Sequence, residues 1–204
     1  MTALWVVNCF YAGIKCVLRV AAHGAVQMLI PMLAQLDEVR QTFALIEKAR
    51  AQLDARGAAH GPVRVGAMIE VPAAALMVRQ FAQHFDFLSI GTNDLVQYML
   101  AIDRTDEAVA HLYDPLHPAV LRLVADVIAE GRSQGKPVSI CGEMAGDAAM
   151  TRLLLGMGLR HFSMHPSRLL AVKQEVLAAD TEELVDWAEA VLASDNPASL
   201  LAEG

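Results

Sequence analysis

From Ala25 onward, short apolar runs alternate with longer segments of helical period, the pattern of consecutive βα units around a parallel sheet. The runs are VQMLIP (26–31), VRVGAMIEV (63–71), FDFLSIGT (85–92), PVSICG (137–142) and a weaker RHFSM (160–164), so five strands are expected. Between the first two, LDEVRQTFALIEKARAQLDARG carries Val39, Phe43, Ile46, Ala49 and Leu53 at three- and four-residue spacing, and Gly57 closes the helix they predict. A second helix opens at Pro72 and continues AAALMVRQFAQHF, because a fixed φ and a missing N–H cost nothing in a first turn. In HPAVLRLVADVIAEGRSQG, the residues Val120, Leu123, Val124, Val127 and Ile128 form one stripe, with Gly131 or Gly135 as its stop. DAAMTRLLLGMG (147–158) and the tail from Pro166 to Ala193 supply the remaining helices, and Asp180-Thr181-Glu182-Glu183 marks a fresh start within that tail. No internal repeat, linker or domain boundary stands out.

The first residues, MTALWVVNCFYAGIKCVLRV, depart from this rhythm, with an apolar run ahead of the first basic residue, Lys15. A signal peptide has its charge before the apolar stretch, and a membrane span needs ~20 uninterrupted apolar residues. Neither pattern fits, so a helical segment is expected here and no membrane association.

Composition narrows the function class. Of 204 residues, 55% are hydrophobic and 19% charged, which excludes disordered and low-complexity chains. The net charge of −7, from 16 basic and 23 acidic residues with no dense Lys/Arg run, excludes a nucleic-acid footprint. Any anion must then be held by a local site. Cys9, Cys16 and Cys141 have no metal or redox spacing, which points to a reducing, cytoplasmic setting. The seven histidines read as structural or surface residues, and the ten methionines as core.

In a parallel α/β architecture the C-terminal strand ends face the ligand. Polar residues gather there: Glu70 after the second strand, Gly91-Thr92-Asn93-Asp94 after the third, Cys141-Gly142-Glu143 after the fourth. Glu70 and Asp94 can share a hard divalent cation, since Mg²⁺ takes one or two carboxylates and completes its shell with water and phosphate. Capping of the following helix by Asp94, or equally by Asn93 or Thr92, is the alternative for that residue. Glu70, set between Ile69 and Val71, must be paired or coordinated. Arg104 suits a phosphate or carboxylate, or else a surface ion pair with Asp103 or Asp106. Cys141 is either a small buried hydrophobe or a thiol at the mouth.

Read together, Gly66-Ala67-Met68-Ile69-Glu70-Val71-Pro72-Ala73-Ala74, Phe87 to Tyr98 (FLSIGTNDLVQY), Ala101-Ile102-Asp103-Arg104 and Cys141-Gly142-Glu143-Met144-Ala145-Gly146-Asp147 resemble the C-terminal barrel of the phosphoenolpyruvate-utilising enzymes. The likeness is nearest to enzyme I of the bacterial sugar phosphotransferase system, with pyruvate phosphate dikinase and phosphoenolpyruvate synthase as relatives. Pro31 and Met32 match an earlier strand end of the family. The resemblance implies an α/β fold comprising the C-terminal part, about five βα units, of a TIM (β/α)8 barrel. It divides the chain into a divergent segment over 1–17, a partial barrel over 18–179 and a C-terminal helix and tail over 180–204. It also implies Mg²⁺ held by Glu70 and Asp94, phosphoenolpyruvate contacts from Asn93, Asp94 and Arg104, and Cys141 as the acid that protonates the enolate to pyruvate. The family's phosphorylated histidine lies in an N-terminal domain that nothing here matches, so the resemblance implies a fragment that meets its histidine phosphocarrier protein through that absent domain. A homodimer is implied as well.

Overall fold

A computed structural model describes residues 2–203, with side chains over 11–201. The order is α1 (Thr2–Val20), β1 (Val26–Ile30), α2 (Leu36–Asp54), β2 (Val63–Ile69), α3 (Pro72–Leu76), α4 (Val78–His84), β3 (Phe87–Gly91), α5 (Thr92–Leu100), α6 (Pro118–Ser133), β4 (Val138–Cys141), α7 (Ala148–Gly156), β5 (His161–Phe162), α8 (Leu169–Ala178), α9 (Glu183–Ala193) and α10 (Pro197–Glu203). All five expected strands form, each a little shorter than its apolar run. They make one parallel sheet in the order β1-β2-β3-β4-β5. Every strand lies beside its predecessor, so the winding never reverses as it does in doubly wound sheets. This is the progression of a (β/α)8 barrel wall, with five units present.

Alternation along the strands separates two faces. Met28, Ile30, Val65, Ala67, Ile69, Leu88, Ile90, Val138 and Ile140 are buried under the helices. They pack in one core with Phe81 from α4, Leu121, Val124, Val127 and Ile128 from α6, and Leu153 and Leu154 from α7. The opposite face carries Leu29, Met68, Phe87, Ser139 and Cys141, all only half-buried. It is the inner face of the barrel wall. β1 and β5 are the two edges of the sheet. Beside β5, α8 buries only Val172 while Leu170 and Leu177 are 78% and 76% exposed.

Several helix ends differ from expectation. The helix beginning at Pro72 breaks at Met77 (φ −107°, ψ 19°), whose N–H bonds the carbonyls of both Ala73 and Ala74. The break lets α4 bury Val78, Phe81 and Ala82 while Leu76 stays exposed. The stop after α6 is Gly135, at φ +65°; Gly131 is a packing residue inside the helix, where a Cβ would lie 2.2 Å from the Val138 side chain. The fresh start near Asp180 is α9, and α10 lies beyond the expected elements.

Two glycines test this packing with opposite signs. Gly13 sits in α1 with open space around it, so Gly13→Ala should raise stability by about 1 kcal/mol through helix propensity. Gly156 gains the same propensity from Ala, but its Cβ would stand 2.5 Å from the Leu184 carbonyl oxygen and 2.7 Å from the Ala188 Cβ on α9. Overpacking against backbone costs roughly 1–3 kcal/mol, so Gly156→Ala should lower the melting temperature. Thermal unfolding of both variants checks the pair.

Candidate functional site

The strand ends reach a common rim because the register aligns Ile69 with Ile90 and Gly91 with Cys141. Glu70, the first residue past β2, is 3% exposed. Its Oε1 accepts a hydrogen bond of 2.7 Å from the Met32 backbone N–H. Met32 adopts φ +57°, a left-handed conformation unusual for this side chain, in the loop just after β1. A Cβ at Gly91 would lie 2.9 Å from Oε2, so the glycine is the room the carboxylate occupies. Burial pushes the Glu70 carboxyl above its ordinary range, the Met32 N–H draws it back down, and the charge and hydrogen bonding of Asp94 push it up again. Two carboxyl groups that close must share either a proton or a cation.

Asp94 is the third residue of α5, in its first turn. Capping does not explain it, because the cap position is Gly91, which has no side chain, and no side chain caps α5. Thr92 and Asn93 instead reach sideways. The Thr92 hydroxyl donates to the Cys141 carbonyl at 2.8 Å, and Asn93 Oδ1 accepts the Glu143 backbone N–H at 2.9 Å. The Tyr113 hydroxyl donates to the Asn93 carbonyl at 3.3 Å. Burial raises the Tyr113 phenol, as do the nearby Glu143 and Asp94 charges, with Arg104 opposing them.

Arg104 follows α5 after the left-handed Ala101. Its Nη1 stands 3.9 Å from Glu143 Oε1, with both side chains well exposed. Such a pair is weakly held in water and leaves the guanidinium available. No close ion pair joins it to Asp103 or Asp106, although its charge contributes to lowering the Asp103 carboxyl. Asp103 accepts the hydroxyl and backbone N–H of Thr105, which together lower its carboxyl, and Asp106 accepts the Ala108 N–H.

Cys141 closes β4 on the inner face. Its thiol donates to the Ile90 carbonyl at 3.4 Å and receives the Ser89 hydroxyl at 3.8 Å. Burial raises the thiol's pKa; Ser89 opposes this, while Glu70 and Asp94 add to it. A raised thiol holds its proton at neutral pH, which an acid requires. A pocket of about 810 Å³ opens beside it, with Asn93, Cys141, Glu143, Ser163, His165 and Arg168 among its walls.

The structure thus brings Glu70, Asp94, Asn93, Arg104 and Cys141 to one rim. Among the described residues no group of three or more His, Cys, Asp and Glu side chains could hold a metal. A cation at Glu70 and Asp94 would therefore have two protein carboxylates and leave room for water and ligand, which suits Mg²⁺. His161 and His165 lie four apart, but on β5 and the loop after it, not on one helix face; His165 is spent capping Ser167. Sequence reasoning put Thr92 and Glu143 at the strand ends but gave neither a part in the site, and it did not single out Ser89 or Tyr113. Ser89 carried a signal, as a polar residue within an apolar run.

The fold and rim are those of part of a (β/α) barrel wall, with its polar residues at the C-terminal strand ends. Among solved structures, a citrate lyase from Burkholderia xenovorans shares the fold at a TM-score of 0.60 and 22% identity, covering 95% of this chain and 68% of its own. The family model described as PEP-utilising enzyme, PEP-binding domain, matches residues 4–181, and the chain belongs to that family. Similar curated proteins are the phosphoenolpyruvate-protein phosphotransferase of Cupriavidus necator, 59% identical over 92% of this chain, and that of Latilactobacillus sakei, 42% identical over 88%. The chain spans 32% of the length of each.

The raised Glu70 carboxyl has a measurable consequence in chelator-treated protein. A group whose folded pKa exceeds its unfolded one costs nothing below the unfolded value, here 4.5, and destabilises progressively as pH rises toward the folded value. Glu70→Gln keeps an acceptor for the Met32 N–H and removes the charge. Its melting temperature should match wild type near about pH 4 and exceed it at ~pH 7. A gap independent of pH would contradict the carboxylate pairing.

Proposed function

We propose that the chain is the phosphoenolpyruvate- and Mg²⁺-binding region of an enzyme I-type phosphoenolpyruvate-protein phosphotransferase. The observation that carries this reading is the buried Glu70 carboxylate, bonded to the Met32 N–H and facing Asp94, at the same rim as a Cys141 thiol that keeps its proton. Glu70 and Asp94 would hold the cation, Asn93 and Asp94 would contact the substrate, and Arg104 would release Glu143 to bind phosphate. When bound, Mg²⁺ would offset negative charge on the phosphate and on the enolate oxygen.

In this reading each residue has one part in the reaction. A histidine supplied by another domain would attack phosphorus, the bridging P–O bond would break, and its electron pair would stay on the enolate oxygen. Cys141 gives its proton to the methylene carbon, the enolate collapses to pyruvate, and solvent reprotonates the thiolate. Ser89 stands where its hydroxyl steadies that thiolate. The partners in this reading are phosphoenolpyruvate, pyruvate, a histidine phosphocarrier protein met through the N-terminal domain, and a second copy of the chain, in the cytoplasm. A second reading, a non-catalytic docking or dimerisation module, is favoured by the two sheet edges and the bare apolar residues of α8.

Calorimetric titration separates the two. The chain should bind phosphoenolpyruvate in a Mg²⁺-dependent manner; Glu70→Gln should weaken that binding at least ~10-fold, or about 1.4 kcal/mol, while Cys141→Ala should change it by less than ~3-fold. Folded protein that shows no Mg²⁺-dependent binding would favour the module. Equal losses in the two variants would refute the separate roles of acid and metal ligand.

A further inference from the structure

The acid of the proposed reaction is the last residue of β4, and the short loop that follows it is held by the start of a neighbouring helix. Past the Gly91–Cys141 register pair the ladder of β3 and β4 ends. The Cys141 carbonyl would then lack a sheet partner in a half-buried place, where an unmade hydrogen bond is costly. Thr92, 1% exposed, fills that gap with its hydroxyl at 2.8 Å. One residue on, Asn93 Oδ1 takes the Glu143 N–H at 2.9 Å. Between these two ties lies Gly142 at φ +96°, where a Cβ would stand 2.6 Å from Thr92 Oγ1 and 2.7 Å from Asn93 Oδ1. The loop is drawn so tightly onto the start of α5 that only glycine fits between them.

We propose that Thr92 is a positioning residue for Cys141, clamping the end of β4 and the Gly142–Glu143 loop to the first turn of α5 so that thiol, amide and carboxylate keep one relative geometry. This rests on the reading of Cys141 as the acid. The geometry explains why the three groups cannot drift apart. Asn93 and Asp94 are the next residues of the same turn, and Glu143, at the far end of the clamped loop, meets Arg104. The thiol is also bracketed by Ile90 and Ser89 of β3, the strand that runs directly into Thr92. β3, the start of α5 and the end of β4 therefore move as one piece. A misplacement of about 1 Å at a proton donor is enough to cost ~10²-fold in rate.

The test uses Thr92→Val, which keeps shape and loses the hydroxyl, and Thr92→Ser, which keeps the hydroxyl. In a background with Cys9 and Cys16 replaced by serine, iodoacetamide alkylation reports Cys141 alone. Thr92→Val should change the alkylation rate at fixed pH at least ~3-fold, and Thr92→Ser should restore it; equal rates in all three proteins overturn the clamp. The second arm follows deuterium entering the pyruvate methyl group in D₂O with Mg²⁺. There the minor thiolate form of Cys141 takes a methyl proton, the C–H electron pair forms the enolate double bond as the carbonyl π pair moves onto oxygen, the thiol exchanges its proton with D₂O, and the deuterated thiol returns a deuteron to the methylene carbon as the carbonyl re-forms. Thr92→Val should lower kcat for exchange ~10-fold or more with little change in KM, and Thr92→Ser should recover it. A fall in KM-weighted binding alone, with kcat unchanged, overturns the positioning role. Absence of exchange in the wild-type chain refutes the acid reading itself, and alkylation still decides the clamp.

Discussion

Each strand of this protein lies parallel to and directly beside the one before it, and the site depends on that constraint. A sheet wound in one direction sends every C-terminal strand end to the same rim. Residues as far apart in the chain as Glu70 and Cys141 are thereby placed within one mouth without any long excursion of backbone. The same winding puts helices over one face only. That face is filled by aliphatic residues buried to the last few per cent, while the inner face is left to half-buried groups such as Met68, Ser139 and Cys141. Catalytic chemistry needs the second kind of environment, in which a thiol or carboxyl is partly desolvated and still reachable.

Glu70 shows how local and tertiary effects combine. Ending an apolar strand with an acid guarantees desolvation, which drives its carboxyl toward the protonated form. The fold answers with one backbone donor, from Met32 in the loop after β1, and one glycine, Gly91, that leaves the carboxylate its space. Asp94 then adds a second negative group to the same small volume. A pair of carboxyls tensioned in this way is stabilised by whatever cation or proton it can capture. The site is in that sense prepared for a positive ligand by its own repulsion.

Much of the fold was legible along the chain because hydrophobic period is a one-dimensional signal. The runs around Met28, Val65, Leu88, Ile140 and Phe162 each became a strand, and Gly57 and Pro72 marked helix ends where expected. Gly131 misled for a physical reason: helix-stopping and close packing both select glycine, and only the nearness of Val138 tells them apart. The break at Met77 was equally invisible, since Leu76 and Met77 continue an apolar pattern that fits an unbroken helix. At the rim, Glu70, Asn93, Asp94, Arg104 and Cys141 could be named as candidates from strand-end position. Arg104 could not be assigned its partner, because Asp103 and Asp106 are near in sequence while Glu143 is near in space.

What the sequence determined by itself was the alternation of elements, the polar residue types at each strand end, and hence the family of sites they could form. These are local matters, settled by side-chain period, turn chemistry and charge. Only the tertiary structure decided which of those residues act together. The bond from Met32 to Glu70, the tie from Thr92 to Cys141 and the approach of Arg104 to Glu143 all span 38 residues or more, and each depends on strand register and loop shape. Register is set cooperatively by the whole packed sheet, so no stretch of the chain encodes it alone.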